Sequence, residues 1–258
     1  MAADLILPKA RIPGVELAVF DKDGTLMDVH AYWANMVRMR AEFVCRELSL
    51  GPEHVAGVME AMGVDVPAMR IKPEGPVGVK KREVVLGAGR DYLLAQGLPD
   101  HWDLFVRAAA AVDAESATRM AELVFPLPGL KQLLGDLSAA GVKIALATTD
   151  LTSRAVLCLE QLGVAGLFDA VVGADQIIHP KPHPEAIEAI CCRTGIAASR
   201  TVMVGDAPAD VNCGLGAGCL ASIGLTCGMT PAETLAALTP HVLAGIHEIS
   251  VSPNRSAP

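Results

Sequence analysis

The stretch Leu17-Ala18-Val19-Phe20-Asp21-Lys22-Asp23-Gly24-Thr25-Leu26 changes character at Asp21. Its apolar half reads as a short buried strand, and residues 21–25 are the small and acidic kind found where a strand gives way to a turn. Later stretches repeat the change. Residues 142–147 form an apolar run that closes on Thr148-Thr149-Asp150; residues 170–172 lead to Gly173, Asp175 and then Lys181; residues 202–204 close on Gly205-Asp206. Apolar residues at helical spacing over 130–140, 152–162, 184–195 and 209–217 separate these runs. The alternation predicts an α/β fold, a Rossmann-like, doubly wound parallel sheet with helices on both faces. In such sheets ligands sit beyond the carboxyl ends of the strands, so the polar bursts are expected to converge on one crevice.

Between residues 28 and 125 the pattern is different: helical spacing over 31–48, 54–62, 80–96 and 101–123, with no convincing strand. This predicts an inserted helical domain over 28–125, and a core built from 1–27 and 126–258. The return to the core passes through Phe125-Pro126-Leu127-Pro128-Gly129, where prolines and a glycine stop a continuous helix and suit a hinge.

Composition narrows the classes of partner. With 52% hydrophobic and 19% charged residues but only 3% aromatic, the 258-residue chain is expected to fold around an aliphatic core. A formal net charge of −8 without a large Lys/Arg cluster argues against a nucleic-acid partner. No apolar run reaches membrane-spanning length, and Pro8 interrupts Leu5-Ile6-Leu7 before a signal-peptide core could form, so no membrane partner is expected. Seven cysteines, an odd number without metal-ligand spacing and with Cys191 and Cys192 adjacent, suit a reducing cytoplasm. The sequence leaves monomer and homodimer open.

Asp21 and Asp23 carry the most chemistry. One carboxylate can attack while the other handles protons, and Gly24 lets the backbone turn so that amides approach an anion. Asp21 would be the nucleophile, its charge screened by a hard divalent cation; Asp23 would protonate a leaving alkoxide and then activate water. Asp-x-Asp-Gly is also a common turn composition, so the pair alone is not decisive.

The string Phe20-Asp21-Lys22-Asp23-Gly24-Thr25-Leu26 resembles the first signature of the haloacid dehalogenase superfamily of aspartate-nucleophile hydrolases. Thr148 resembles the family's phosphate-binding hydroxyl, Lys181 in Lys181-Pro182-His183-Pro184 its lysine, and Gly205-Asp206 with Asp210 its acidic fourth signature. Order and spacing fit across nearly the whole chain, including Pro126-x-Pro128-Gly129 and residues 224–228. The resemblance implies a magnesium ion held by the Asp21 carboxylate, the Asp23 backbone carbonyl and Asp206, with Asp210 in support. It implies that Lys22, Gly24, Thr148, Thr149 and Lys181 surround a phosphate whose charge they help to spread. For Asp210 a helix-start acid is the alternative.

Departures from the pattern are Ala207, where relatives often carry Ser, and Thr149-Asp150, where Asn or Ser often follows the hydroxyl. The insertion resembles the helical cap that closes over small substrates, and the nearest likeness is to phosphoglycolate phosphatase-like enzymes. Phosphosugar phosphatases and β-phosphoglucomutase-like mutases come next. In the insertion Arg70, Lys72, Lys80, Lys81 and Arg82 form a basic set, of which Arg70 and Arg82 are the candidates for substrate binding and a solvated face is the alternative. A dehalogenase would not need Asp23, a phosphonatase would need a Schiff-base lysine in the cap, and a noncatalytic relative would be expected to lack Asp21, Asp23 or Asp206. His30, His179 and His183 have no zinc-site spacing, and structural roles are expected for them.

Overall fold

The computed structural model describes residues 2–78 and 80–253, and the chain divides into two compact units, residues 1–28 with 126–258 and residues 29–125. The first unit opens with β1 (Ala3–Leu7), β2 (Ala10–Val15) and β3 (Leu17–Phe20). The second unit contains α1 (Val29–Glu47), α2 (Pro52–Ala61), β4 (Val64–Asp65), β5 (Arg70–Ile71), α3 (Arg82–Ala95), α4 (Trp102–Thr118) and α5 (Met120–Leu123). The chain then returns to the first unit through α6 (Leu130–Ala139), β6 (Lys143–Ala147), α7 (Thr152–Gln161) and β7 (Ala170–Val172). It closes with α8 (Glu185–Thr194), β8 (Thr201–Gly205), α9 (Pro208–Gly216), β9 (Ala221–Leu225), α10 (Ala232–Ala236), β10 (Val242–Leu243) and β11 (Ser250–Pro253).

The main sheet is parallel, six-stranded among the described residues, in the order β10-β9-β8-β3-β6-β7. The strand that ends at Asp21 is thus central: Val19 faces Ala145 on one side and Met203 on the other. Both faces are covered, which is why the apolar runs do not alternate with polar residues. Leu17, Val19, Ala145, Ala147, Val172 and Met203 pack on one face with Ala186, Ile187 and Ile190 of α8 and Cys213 of α9. The intervening residues Ala18, Phe20, Ile144, Leu146, Val202 and Val204 are buried as well. Each fully buried aliphatic or Phe side chain contributes roughly 1.5–3 kcal/mol, and that packing fixes where the strand ends lie.

Three features differ from expectation. In the second unit β4 and β5 form a small antiparallel pair, Val64 against Ile71 and Asp65 against Arg70, where no strand is expected. Two-residue strands are too short to show alternation, and Met69, with φ of 48°, makes the turn that a sequence pattern does not mark. The helical run expected over 101–123 is divided between α4 and α5 at Arg119. The largest addition is an antiparallel sheet in the order β11-β1-β2, distinct from the main one. Within it Leu5 and Leu7 are buried while Ile6 is exposed, and buried Asp4 accepts hydrogen bonds from the Gly14 N–H (2.9 Å) and from the Arg11 guanidinium. Its outer strands come from opposite ends of the described chain, so no local signal joins them.

Candidate active site

Asp21, Thr148 and Asp206 directly follow the parallel strands β3, β6 and β8. The Asp21 N–H donates to the Val204 carbonyl (2.9 Å) and the Thr148 N–H to the Val172 carbonyl (3.0 Å), so each residue is still pinned to the neighbouring strand when its side chain leaves the sheet. Asp210 stands in the first turn of α9, and Lys181 in the loop between β7 and α8.

These residues meet. Lys181 Nζ donates to Asp21 Oδ1 (2.5 Å), Asp210 Oδ1 (2.6 Å) and the Ala147 carbonyl (2.9 Å), with its side chain almost wholly buried. Carboxylate oxygens of Asp21, Asp206 and Asp210 lie within 4.8 Å of one another, and all three residues are buried. Burial, then the neighbouring charges of Asp21 and Asp210, push the Asp206 carboxyl up to about 8. Burial likewise raises Asp21 despite the opposing pull of Lys181. Burial alone would lower the Lys181 ammonium, but Asp21 and Asp210 outweigh it and hold the group charged.

Three buried acids around one ammonium make an oxygen-rich cluster with more carboxyl groups than cations, and a cluster of this kind fits a hard dication such as magnesium. The backbone makes room for it. Gly24 has φ of +78°, and a Cβ there would lie 2.6 Å from Asp206 Oδ2; a Cβ on Gly228 would lie 1.8 Å from the same oxygen. The Met229 N–H donates to that oxygen at 3.2 Å.

Asp210 stands at a helix start and also touches Lys181. Its Oδ2 accepts the Ala207 N–H (3.0 Å) at the start of α9, and its Oδ1 accepts Lys181. With both oxygens engaged it suits a supporting place better than a direct one. Asp23 is half-buried; loss of hydration raises its carboxyl, an effect that Lys22 opposes.

Lys22 is buried and does more than the sequence indicated. Its Nζ contacts Asp23 Oδ1 at 2.8 Å and Asp150 Oδ2 at 3.3 Å, so Asp150, whose role the sequence leaves open, balances the cation beside Asp23. Arg154, not singled out from the sequence, contacts Asp150 at 3.4 Å, one helical turn further on. Thr148 is buried, and its Oγ1 accepts the Asp150 N–H at 3.1 Å, whereas Thr149 is exposed. Gly228 falls in the segment 224–228 noted from the sequence, which gave it no role there, and the Met229 amide was not singled out, because no residue-type signal marks a backbone that approaches a carboxylate.

Arg70 and Arg82 belong to the second unit. Arg70 is exposed on β5, and Arg82 pairs with Asp113 at 2.8 Å, an acid that also holds buried Arg40 at 2.9 Å.

A model of haloacid dehalogenase-like hydrolases matches residues 15–218. The chain belongs to this family. It is 39% identical over 139 residues to "Probable phosphatase IndB" of Dickeya dadantii, a match covering 54% of this chain and 59% of that one. It is 34% identical to a phosphoglycolate phosphatase of Caulobacter vibrioides, over 60% of this chain and 68% of the relative. The chain spans about half the length of several other curated relatives it matches, 48% for the phosphoglycolate phosphatase of Salmonella choleraesuis. Among solved structures, a HAD-superfamily hydrolase of subfamily IA from Geobacter sulfurreducens superposes with a TM-score of 0.63 at 18% identity, covering 91% of this chain and 94% of that one. At that identity the likeness concerns the fold. Among the described residues no helix is long and apolar enough to cross a membrane.

Proposed function

We propose that this protein is a magnesium-dependent phosphatase that hydrolyses a small phosphorylated metabolite, of the phosphoglycolate or sugar-phosphate type, through an aspartyl-phosphate on Asp21. The observation that carries the reading is the Lys181 ammonium held between Asp21 and Asp210 beside buried Asp206, at the carboxyl ends of parallel strands. The curated relatives named phosphoglycolate phosphatase support the substrate class.

An Asp21 carboxylate oxygen attacks phosphorus while the bond to the substrate's alkoxide breaks, and Asp23 gives that alkoxide its proton. A carboxyl raised by loss of hydration suits the donor role. Asp23 then takes a proton from water, which attacks the acyl phosphate, releases inorganic phosphate and restores Asp21. The Thr148 hydroxyl and the Lys181 ammonium hold phosphoryl oxygens, with the exposed Thr149, the Gly24 amide and the Lys22 segment at the margin. The Asp21 carboxylate, the Asp23 carbonyl and Asp206 would hold the metal and Asp210 would steady it. Bound there, magnesium would offset repulsion between the nucleophile and the phosphate.

The test is a phosphate-release screen over phosphoglycolate, hexose and pentose phosphates and an aryl phosphate, with magnesium and with excess chelator. Turnover that needs magnesium and vanishes in Asp21→Asn is expected, since the amide keeps the shape and loses the nucleophile. Full turnover in chelator would overturn the metal assignment, and full turnover in Asp21→Asn would overturn the nucleophile.

A further inference from the structure

The loop that carries Lys181 holds a second group of potential ligands on its outer side. The side chains of His179, His183 and Glu185 place one ligand atom each within 4.8 Å of the others, although the sequence spacing by itself points to no metal site. The two imidazoles face each other with ring centroids 4.6 Å apart. Glu185 Oε2 lies 2.9 Å from His179 Nδ1 and 4.0 Å from His183 Nδ1, so the carboxylate lies near one nitrogen of each ring. The His179 and His183 side chains are 61% and 48% exposed, which leaves them open to ions in solution.

The backbone holds Glu185 ready. Its Oε1 accepts the Ile178 N–H (2.8 Å) and its Oε2 the His179 N–H (2.9 Å), and these bonds, ahead of the contact with His179, draw the carboxyl down to about 2. Because of those bonds, the loop and its carboxylate are organised before any ion arrives. Two imidazoles and one carboxylate are the donor set of zinc sites and of nickel and copper sites, whereas magnesium prefers oxygen alone.

We propose that His179, His183 and Glu185 form a second metal site, for a transition-metal dication of the zinc, nickel or copper class, separate from the acid-lined pocket of Asp21, Asp206 and Asp210. Small rotations of the exposed rings bring the ligand atoms to coordination distance, and any proton on His179 Nδ1 leaves to solvent. An ion there ties His179 to His183 and to Glu185 at the start of α8, and Lys181 lies between them in the chain. The site clamps the segment that delivers the ammonium to Asp21.

The experiment uses the untagged full chain in saturating magnesium, titrated with zinc chloride by calorimetry, with a thermal melt at each zinc concentration. Wild type is expected to bind a single equivalent and to melt at a higher temperature as the site fills. In the double variant His179→Ala/His183→Ala the affinity should fall ~10-fold or more and the zinc-dependent rise should vanish. The milder His179→Gln, which keeps a polar group in place, should show the same direction, so the result does not depend on one variant's folding. Asp206→Asn should keep the zinc affinity of wild type. Zinc binding that survives the double variant, that disappears in Asp206→Asn, or that is absent in wild type overturns the proposal.

Discussion

Lys181→Met is the substitution whose consequence the structure specifies best. Methionine nearly matches the length of lysine, so the space stays filled and the change is one of charge. The ammonium has lost almost all contact with water, and it is bonded to two buried carboxylates and one backbone carbonyl. Removing one partner of a buried ion pair costs about 3–5 kcal/mol, because the other charge is left unpaired. The Ala147 carbonyl loses a donor as well, for roughly 1 kcal/mol or more. Protonation of Asp21, whose carboxyl burial already raises, recovers part of this, so a net loss of about 3–5 kcal/mol is expected near neutral pH. For a unit of this size each kcal/mol moves the melting temperature by about 2–4 °C, which gives a fall of ~6–20 °C. The assay is urea unfolding and a thermal melt, each in chelator and in magnesium. The loss should be smaller with magnesium, since a dication beside Asp21 and Asp206 replaces some of the missing positive charge. In the same variant kcat should fall ~100-fold or more, the effect of removing one preorganised donor to a phosphoryl oxygen. A stability change below ~1 kcal/mol in chelator would refute the charge balance inferred for the site.

Gly24→Ala adds a Cβ in a left-handed backbone and 2.6 Å from Asp206 Oδ2, so the carboxylate must move. Strain of about 1–2 kcal/mol and a ~10-fold higher magnesium requirement are expected from unfolding curves and a magnesium titration of activity, and an unchanged requirement would contradict the placement of Asp206. The Asp206 carboxyl is raised from its ordinary value of 3.8 to about 8, so the folded metal-free protein binds a proton that the unfolded chain releases, and stability falls as pH rises through that window. In chelator, melting temperature should therefore fall more steeply between about pH 4 and about pH 8 in wild type than in Asp206→Asn, and magnesium should remove the difference; parallel curves would speak against it. Arg82→Ala is expected to cost at most about 1 kcal/mol, since the pair is half exposed and Asp113 keeps Arg40. A ~10-fold loss of kcat/KM confined to the metabolite and absent with an aryl phosphate would instead assign Arg82 to substrate recognition.

The sheet and its strand ends were legible because a parallel sheet covered on both faces demands unbroken apolar runs, and Leu17–Phe20, Lys143–Ala147 and Thr201–Gly205 supply them. Acidic and hydroxyl residues stand out immediately beyond such runs, so Asp21, Thr148 and Asp206 could be seen to converge without coordinates. Less legible was whatever depends on a partner distant in sequence. Nothing near Lys22 announces that Asp150 will face it, and nothing near Ala3–Leu7 announces Ser250–Pro253. The pair β4 and β5 was hidden by brevity, and the approach of Gly228 to Asp206 by the lack of a side chain to read, although its segment fitted the pattern. His179 and His183 were dismissed on spacing, yet spacing in a loop says little about separation in space, and the fold brings both rings to Glu185.

The central position of β3 has a consequence for how the chain is made. Leu17–Phe20 is synthesised early, but its two neighbours in the sheet, Lys143–Ala147 and Thr201–Gly205, come long afterwards. On the ribosome the segment that ends in Asp21 therefore waits, apolar and unpaired, while residues 29–125 emerge and form a unit of their own. Pairing partners so far apart make folding slow, because the entropy of closing the long loop is lost before any contact rewards it. A nascent chain cut short before residue 201 would hold Asp21 on a half-built sheet with an open edge, prone to stick to its own kind.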